Sequence, residues 1–125
     1  MPNKIEVTHV TQQDNNLRLY INETIDDLDL KPSGRMLVDS DSLAFVYILE
    51  NEDNFTYVSL PSSIWEDLKK VINGELRTVL LLGEKEIVLE GIIEELQYLI
   101  SNIEGNANYG EEMVGKVEEV FVKAQ

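Results

Sequence analysis

The stretch Leu43-Ala44-Phe45-Val46-Tyr47-Ile48-Leu49 decides the fold. Every position is apolar, and aromatic and β-branched residues sit at its centre. That composition fits a strand covered on both faces. The run is far too short to cross a bilayer, which takes about 20 residues of helix. The acidic residues 50–54 follow as a tight turn, and Phe55-Thr56-Tyr57-Val58-Ser59-Leu60 pairs back as the next strand. Upstream lies the short apolar segment Arg35-Met36-Leu37-Val38, set off from the central strand by Asp39-Ser40-Asp41-Ser42.

The N-terminal part also reads at period two. Ile5, Val7 and His9 alternate with Glu6 and Thr8, and Leu17, Leu19 and Ile21 alternate with Arg18, Tyr20 and Asn22. The polar residues 12–16 between them make a hairpin. Being more polar than 43–49, this hairpin is expected at an edge of the sheet. Residues 22–33 form an acidic connection that ends in the turn signal Lys31-Pro32-Ser33-Gly34. Its cluster Asp26-Asp27-Leu28-Asp29 reads as an exposed loop, with Leu28 and Leu30 tucked inward.

Pro61-Ser62-Ser63-Ile64-Trp65-Glu66 reads as a helix start, with Ser63 and Glu66 at capping-box spacing. Ile64, Trp65, Leu68, Val71 and Ile72 form an apolar stripe, and Gly74 stands where a helix-ending glycine belongs. Residues 77–82 and 86–90 make a second hairpin around Gly83-Glu84-Lys85. A helix over 92–103 carries Ile92, Leu96, Leu99, Ile100 and Ile103 on one face, and Gly105 stops it. After the loop 106–110, a last helix turns Met113, Val117, Val120 and Phe121 inward, with Glu111 and Glu112 at its positive end. Gly115 inside it should cost up to about 1 kcal/mol relative to alanine. It points to close packing by another helix or to a local kink. The order predicts one α+β domain over 1–125: a mainly antiparallel sheet of about six or seven strands with about three helices packed on it.

Asp and Glu number 24 against 10 Lys and Arg, a formal net charge of −14. Nucleic acid and anionic membrane are therefore excluded as partners, because both require clustered cations. A basic protein partner would instead be steered in at low salt; the plainer reading is that the charge only keeps the protein dissolved. There is no cysteine, so disulfides and thiolate chemistry are absent. Met1-Pro2-Asn3-Lys4-Ile5-Glu6 has no apolar secretion core, and the expected location is the cytoplasm.

No residue pattern announces a reaction. G-x-S-x-G and the phosphate-cradling glycine motifs do not occur. The single histidine, His9, lies in a strand with no partner and reads as structural. Asp39 and Asp41 would share one side of an extended chain and could hold a hard cation, although the EF-hand pattern fails; the plainer reading is a solvated turn. Trp65 could anchor a partner or simply fill the core. Asn106, Asn108 and Tyr109 could form a recognition loop, or Tyr109 could plug a helix–helix corner. No cofactor is expected.

Two long stretches resemble one family. They are the segment 35–49, from Arg35-Met36-Leu37-Val38-Asp39 to Tyr47-Ile48-Leu49, and Asn102-Ile103-Glu104-Gly105-Asn106-Ala107-Asn108-Tyr109-Gly110-Glu111-Glu112 continuing to Val117-Glu118-Glu119-Val120-Phe121. The similarity, from about residue 17 onward, is to small acidic proteins of Bacillus, Staphylococcus and relatives, the YjbL-like family, which carries a placeholder name. It implies a cytoplasmic protein of a Gram-positive bacterium and supplies no activity, cofactor or catalytic residue. The residues themselves suggest a non-enzymatic binding or regulatory module for an unidentified, basic protein partner. The alternative is a metal-binding protein or enzyme using Asp39 and Asp41. A monomer or weak homodimer is expected, associating through the N-terminal hairpin edge or the Gly115 helix.

Overall fold

The computed structural model describes residues 3–23, 29–52, 54–74 and 76–122. Seven strands form one sheet: β1 (Asn3–Gln13), β2 (Asn16–Ile21), β3 (Lys31–Asp39), β4 (Ala44–Glu50), β5 (Phe55–Pro61), β6 (Arg77–Leu82) and β7 (Lys85–Val88). The helices are α1 (Trp65–Gly74), α2 (Ile92–Ile103) and α3 (Glu111–Val117), which widens into a π-helical turn at Glu118–Val122. The α+β class therefore holds.

The strand order is β3-β4-β5-β1-β2-β6-β7. Neighbours joined by short turns pair antiparallel: β1 with β2, β3 with β4, β4 with β5 and β6 with β7. The two long-range pairings, β1 with β5 and β2 with β6, are parallel, so the sheet is mixed. The expectation that the N-terminal hairpin lies at an edge is overturned. β1 and β2 are the middle of the sheet, because the meander β3–β4–β5 docks beside β1 while the hairpin β6–β7 docks beside β2.

β1 joins the two halves. Its first residues pair with β5 and its remainder with β2, and a bulge between Val7 and His9 bends it. The bulge inserts one residue and reverses the face phase. Ile5 and Val7 point into the core, but His9 turns outward and Val10 takes the inward position opposite Leu19. The sheet curls until β3 meets the end of β7. There Gly34 comes so close to Gly91 that a Cβ on Gly91 would lie 3.5 Å from the Gly34 Cα.

Three further expectations are corrected. Lys31-Pro32-Ser33-Gly34 is not a turn but the start of β3, whose pairing with β4 is irregular between Pro32 and Met36. Ser63 is not a helix cap: Ser62–Ile64 is already a 3₁₀ turn entered from Pro61, so Ser63 sits inside helical backbone and its side chain is exposed. Gly74 ends α1 without adopting the left-handed region. Leu30 is buried as expected, whereas Asp26, Asp27 and Leu28 lie outside the described residues.

One core sits on the inner face. Phe45, Tyr47, Leu49, Val58, Leu60, Leu17, Leu19 and Leu80 from the strands join Trp65, Leu68, Val71, Leu96, Ile103, Met113 and Val117 from the helices. Phe45, Trp65 and Phe121 form its aromatic centre, with ring centroids 5.0–6.1 Å apart. Val46, Ile48 and Val79, on the opposite face, are buried but stand outside this cluster. The helices thus cover one face only.

Candidate binding surface

The residues singled out from sequence do not converge. Trp65 is fully buried and its indole N–H donates to the Leu60 carbonyl at 3.0 Å. It is core, with no surface to offer a partner. Asn106 turns inward on its own loop: its Nδ2 donates to the Asn102 carbonyl at 3.2 Å, and its Oδ1 accepts from the Asn108 N–H at 3.1 Å. The side chain braces the corner between α2 and α3. Tyr109 is half-buried and packs against the core, and Asn108 is exposed.

Asp39 and Asp41 do not share an extended chain, because residues 40–43 form a turn with Leu43 at φ 50°. Asp39 ends β3. One of its oxygens accepts from the Ser42 N–H at 3.2 Å, and the other lies 3.7 Å from Lys4 Nζ. Among the described residues, no group of three or more His, Asp and Glu side chains could hold a metal ion. Asp29, Glu50 and Glu52 border a depression of about 520 Å³ with Lys31. None of these carboxylates is buried, and acid–base work needs at least one that is desolvated.

His9 stacks on Tyr20 with ring centroids 4.5 Å apart and planes at 4°. The Thr11 hydroxyl lies 3.1 Å from Tyr20 Oη, and that contact, then the Arg18 guanidinium, holds the phenol below its ordinary value. Arg18 also reaches Glu86 at 3.4 Å. The cluster lies on exposed sheet surface, so water competes for each of its bonds.

The distinctive surface is the outer face of β3–β4–β5, which sequence reasoning did not single out. Register assigns its members: Leu37 lies opposite Val46, Val46 opposite Ser59, Ile48 opposite Tyr57 and Glu50 opposite Phe55. Leu37 is 45% exposed and Phe55 44%. Val46, Ile48 and Tyr57 lie between them, and a depression of about 440 Å³ opens along Leu37, Val46, Tyr57 and the turn bearing Asp39 and Asp41. Arg35 spans the far end, its guanidinium 5.7 Å from the Phe55 ring centroid and 3.5 Å from a Glu50 oxygen. The available signal was Leu37 and Phe55 in phase with Val46 and Ile48, which would have placed four apolar side chains on one face.

The model of the family of unknown function UPF0738 matches residues 5–121. The UPF0738 protein YjbL of Bacillus subtilis (strain 168) is 48% identical over 122 residues, covering 98% of this chain and all of that protein. The UPF0738 protein BcerKBAB4_1107 of Bacillus mycoides (strain KBAB4) is 46% identical over 123 residues, with the same coverage. No solved structure matches. No helix among the described residues is long and apolar enough to cross a membrane.

Proposed function

The chain belongs to the UPF0738 family, whose description assigns no activity, so its own surface must carry the functional reading, and we propose that it is a non-enzymatic binding module that docks a protein through the outer face of β3–β4–β5. The observation that carries this is the pair Leu37 and Phe55, each nearly half exposed at opposite ends of the face the described helices leave uncovered, with Tyr57 part-exposed between them and Val46 and Ile48 buried. Exposed apolar side chains grouped on one polar-rimmed face mark interaction sites. The acidic charge keeps the free module dissolved and steers a basic partner to it. The absence of cysteine and the Bacillus origin of the relatives support work in the cytoplasm of a Gram-positive cell.

The alternative of a carboxylate-based enzyme finds less support, since Asp39 is committed to Ser42 and Lys4 and Asp41 is exposed on a turn. The test is site-specific photo-crosslinking in native cytoplasm. A photoreactive residue replacing Leu37 should capture a protein, and the adduct should vanish when Phe55→Ser is added. The same probe replacing Gln12, on the N-terminal hairpin, should capture nothing comparable. Equal capture from both positions, or none from position 37, would remove the face from the account.

A further inference from the structure

The partner's shape and charge follow from what this face offers and what it lacks. A strand binds a sheet by adding to an open edge. The β3 edge is not open where α2 lies along it: the Met36 N–H donates to a Glu95 oxygen at 3.1 Å, and the Gly34 N–H donates to Tyr47 Oη at 3.2 Å. The outer face presents side chains rather than backbone. The element that buries an apolar stripe on a sheet face is an amphipathic helix, as α1, α2 and α3 do on the inner face.

Charge fixes the sign. Glu6, Asp39, Asp41 and Glu50 surround the stripe, against Lys4, Lys31 and Arg35. Lys4 pairs with Asp39, and Arg35 and Lys31 both stand against Glu50, so the surplus on the rim is negative at the end bearing Glu6 and Asp41. Asp39 and Asp41 stand at the Ala44 end of β4 and Glu50 at the other, about 20 Å apart by the rise of a strand. That length matches about 13 residues of helix.

Resting on the reading of this face as a binding surface, we infer that its occupant is a basic amphipathic helix of three to four turns. Leucine-type residues seat between Leu37 and Phe55, and lysines or arginines gather at the end bearing Glu6, Asp39 and Asp41. A second copy of the chain is the wrong occupant, since two such rims would repel at a net charge of −14 each.

The probes are a synthetic Leu/Lys peptide of about 14 residues with helical periodicity and a scrambled peptide of the same composition. Titrated into the full chain at moderate salt and followed by amide NMR, the periodic peptide should bind at least about tenfold tighter than the scrambled one. The largest shifts should fall on β3, β4 and β5. Leu37→Ser with Phe55→Ser should weaken it about tenfold, and Asp39→Asn with Asp41→Asn should flatten its salt dependence. Equal binding of both peptides, or shifts confined to the helices, would overturn the helix assignment while crosslinking from position 37 still stood. A homodimer that dissociates in Leu37→Ser would assign the face to a second copy and also sink the inference. Loss of crosslinking at position 37 would remove the face itself.

Discussion

The phenol of Tyr47 donates to the Glu90 carbonyl at 2.5 Å, across 43 positions of sequence. The same oxygen accepts from the Gly34 N–H. One buried hydroxyl therefore ties β4 to β3 and to the chain just after β7, where the curled sheet brings its two ends together. Tyr47→Phe would leave both backbone groups without this partner, at a cost of about 1–3 kcal/mol at neutral pH in denaturant titration. Burial holds the phenol above its ordinary value of 10.0. A raised folded value means the neutral form is favoured by folding. Its contribution is complete below the unfolded value and is lost as pH rises through the folded one. The wild type should therefore lose stability above about pH 10, and Tyr47→Phe should lose measurably less over the same range. Equal alkaline losses would show that Tyr47 does not titrate with unfolding.

Gly91 caps α2 at φ 78° and faces Gly34. The 3.5 Å separation to the Gly34 Cα leaves a methyl just enough room, so the penalty for Gly91→Ala comes from the left-handed backbone. That penalty is about 1–2 kcal/mol. A denaturant midpoint unchanged in this variant would mean that the cap relaxes without strain.

Thr78 is buried on β6 opposite Leu17, and its hydroxyl has no hydrogen-bond partner among the described residues. An orphaned buried polar group costs about 1–3 kcal/mol. Thr78→Val replaces the hydroxyl with a methyl of similar size and should stabilise the fold by about 1 kcal/mol. Destabilisation would show that the hydroxyl is satisfied in solution, for instance by a buried water.

Ser63 is exposed inside the 3₁₀ turn and makes no capping contact, so Ser63→Ala should change stability by less than about 0.5 kcal/mol. A loss of the size of a true cap, about 1 kcal/mol, would mean that the helix begins one turn later in solution.

Local periodicity carried most of the elements. The β1–β2 hairpin turns at Asp14 and Asn15, both at positive φ, and α2 spans the residues its apolar stripe marked. What stayed hidden was long-range. Nothing in the alternation of Ile5 and Val7 reveals that one part of β1 pairs with β5 and the rest with β2, or that a bulge near Thr8 turns His9 outward. The apolar run of β4 reads as covered on both faces, and Val46 and Ile48 are indeed nearly buried. They nevertheless stand outside the cluster that the described helices join. That is why Leu37 and Phe55 were legible as strand residues and illegible as a surface. Trp65 was ambiguous for a related reason, since an indole at a helix start suits a core and an anchor equally well until burial decides.

Gly115 lies inside α3. It is exposed, and a Cβ there would meet nothing within 4 Å among the described residues, so none of the described helices uses it for close approach. The irregularity it pointed to lies just beyond, where the Glu118 N–H is shared between the Val114 and Gly115 carbonyls and the chain widens into the π turn. That turn delivers Val120 to the core and sets Phe121 against Phe45 and Trp65. Gly115→Ala adds helix propensity and restricts the unfolded chain, and it should raise stability by about 0.5–1 kcal/mol. The near-ultraviolet circular dichroism of Trp65 and Phe121 should be unchanged. A loss of stability with an altered aromatic signal would show that Gly115 is needed to let the helix widen, and that alanine forces the next turn to tighten and pulls Phe121 out of register.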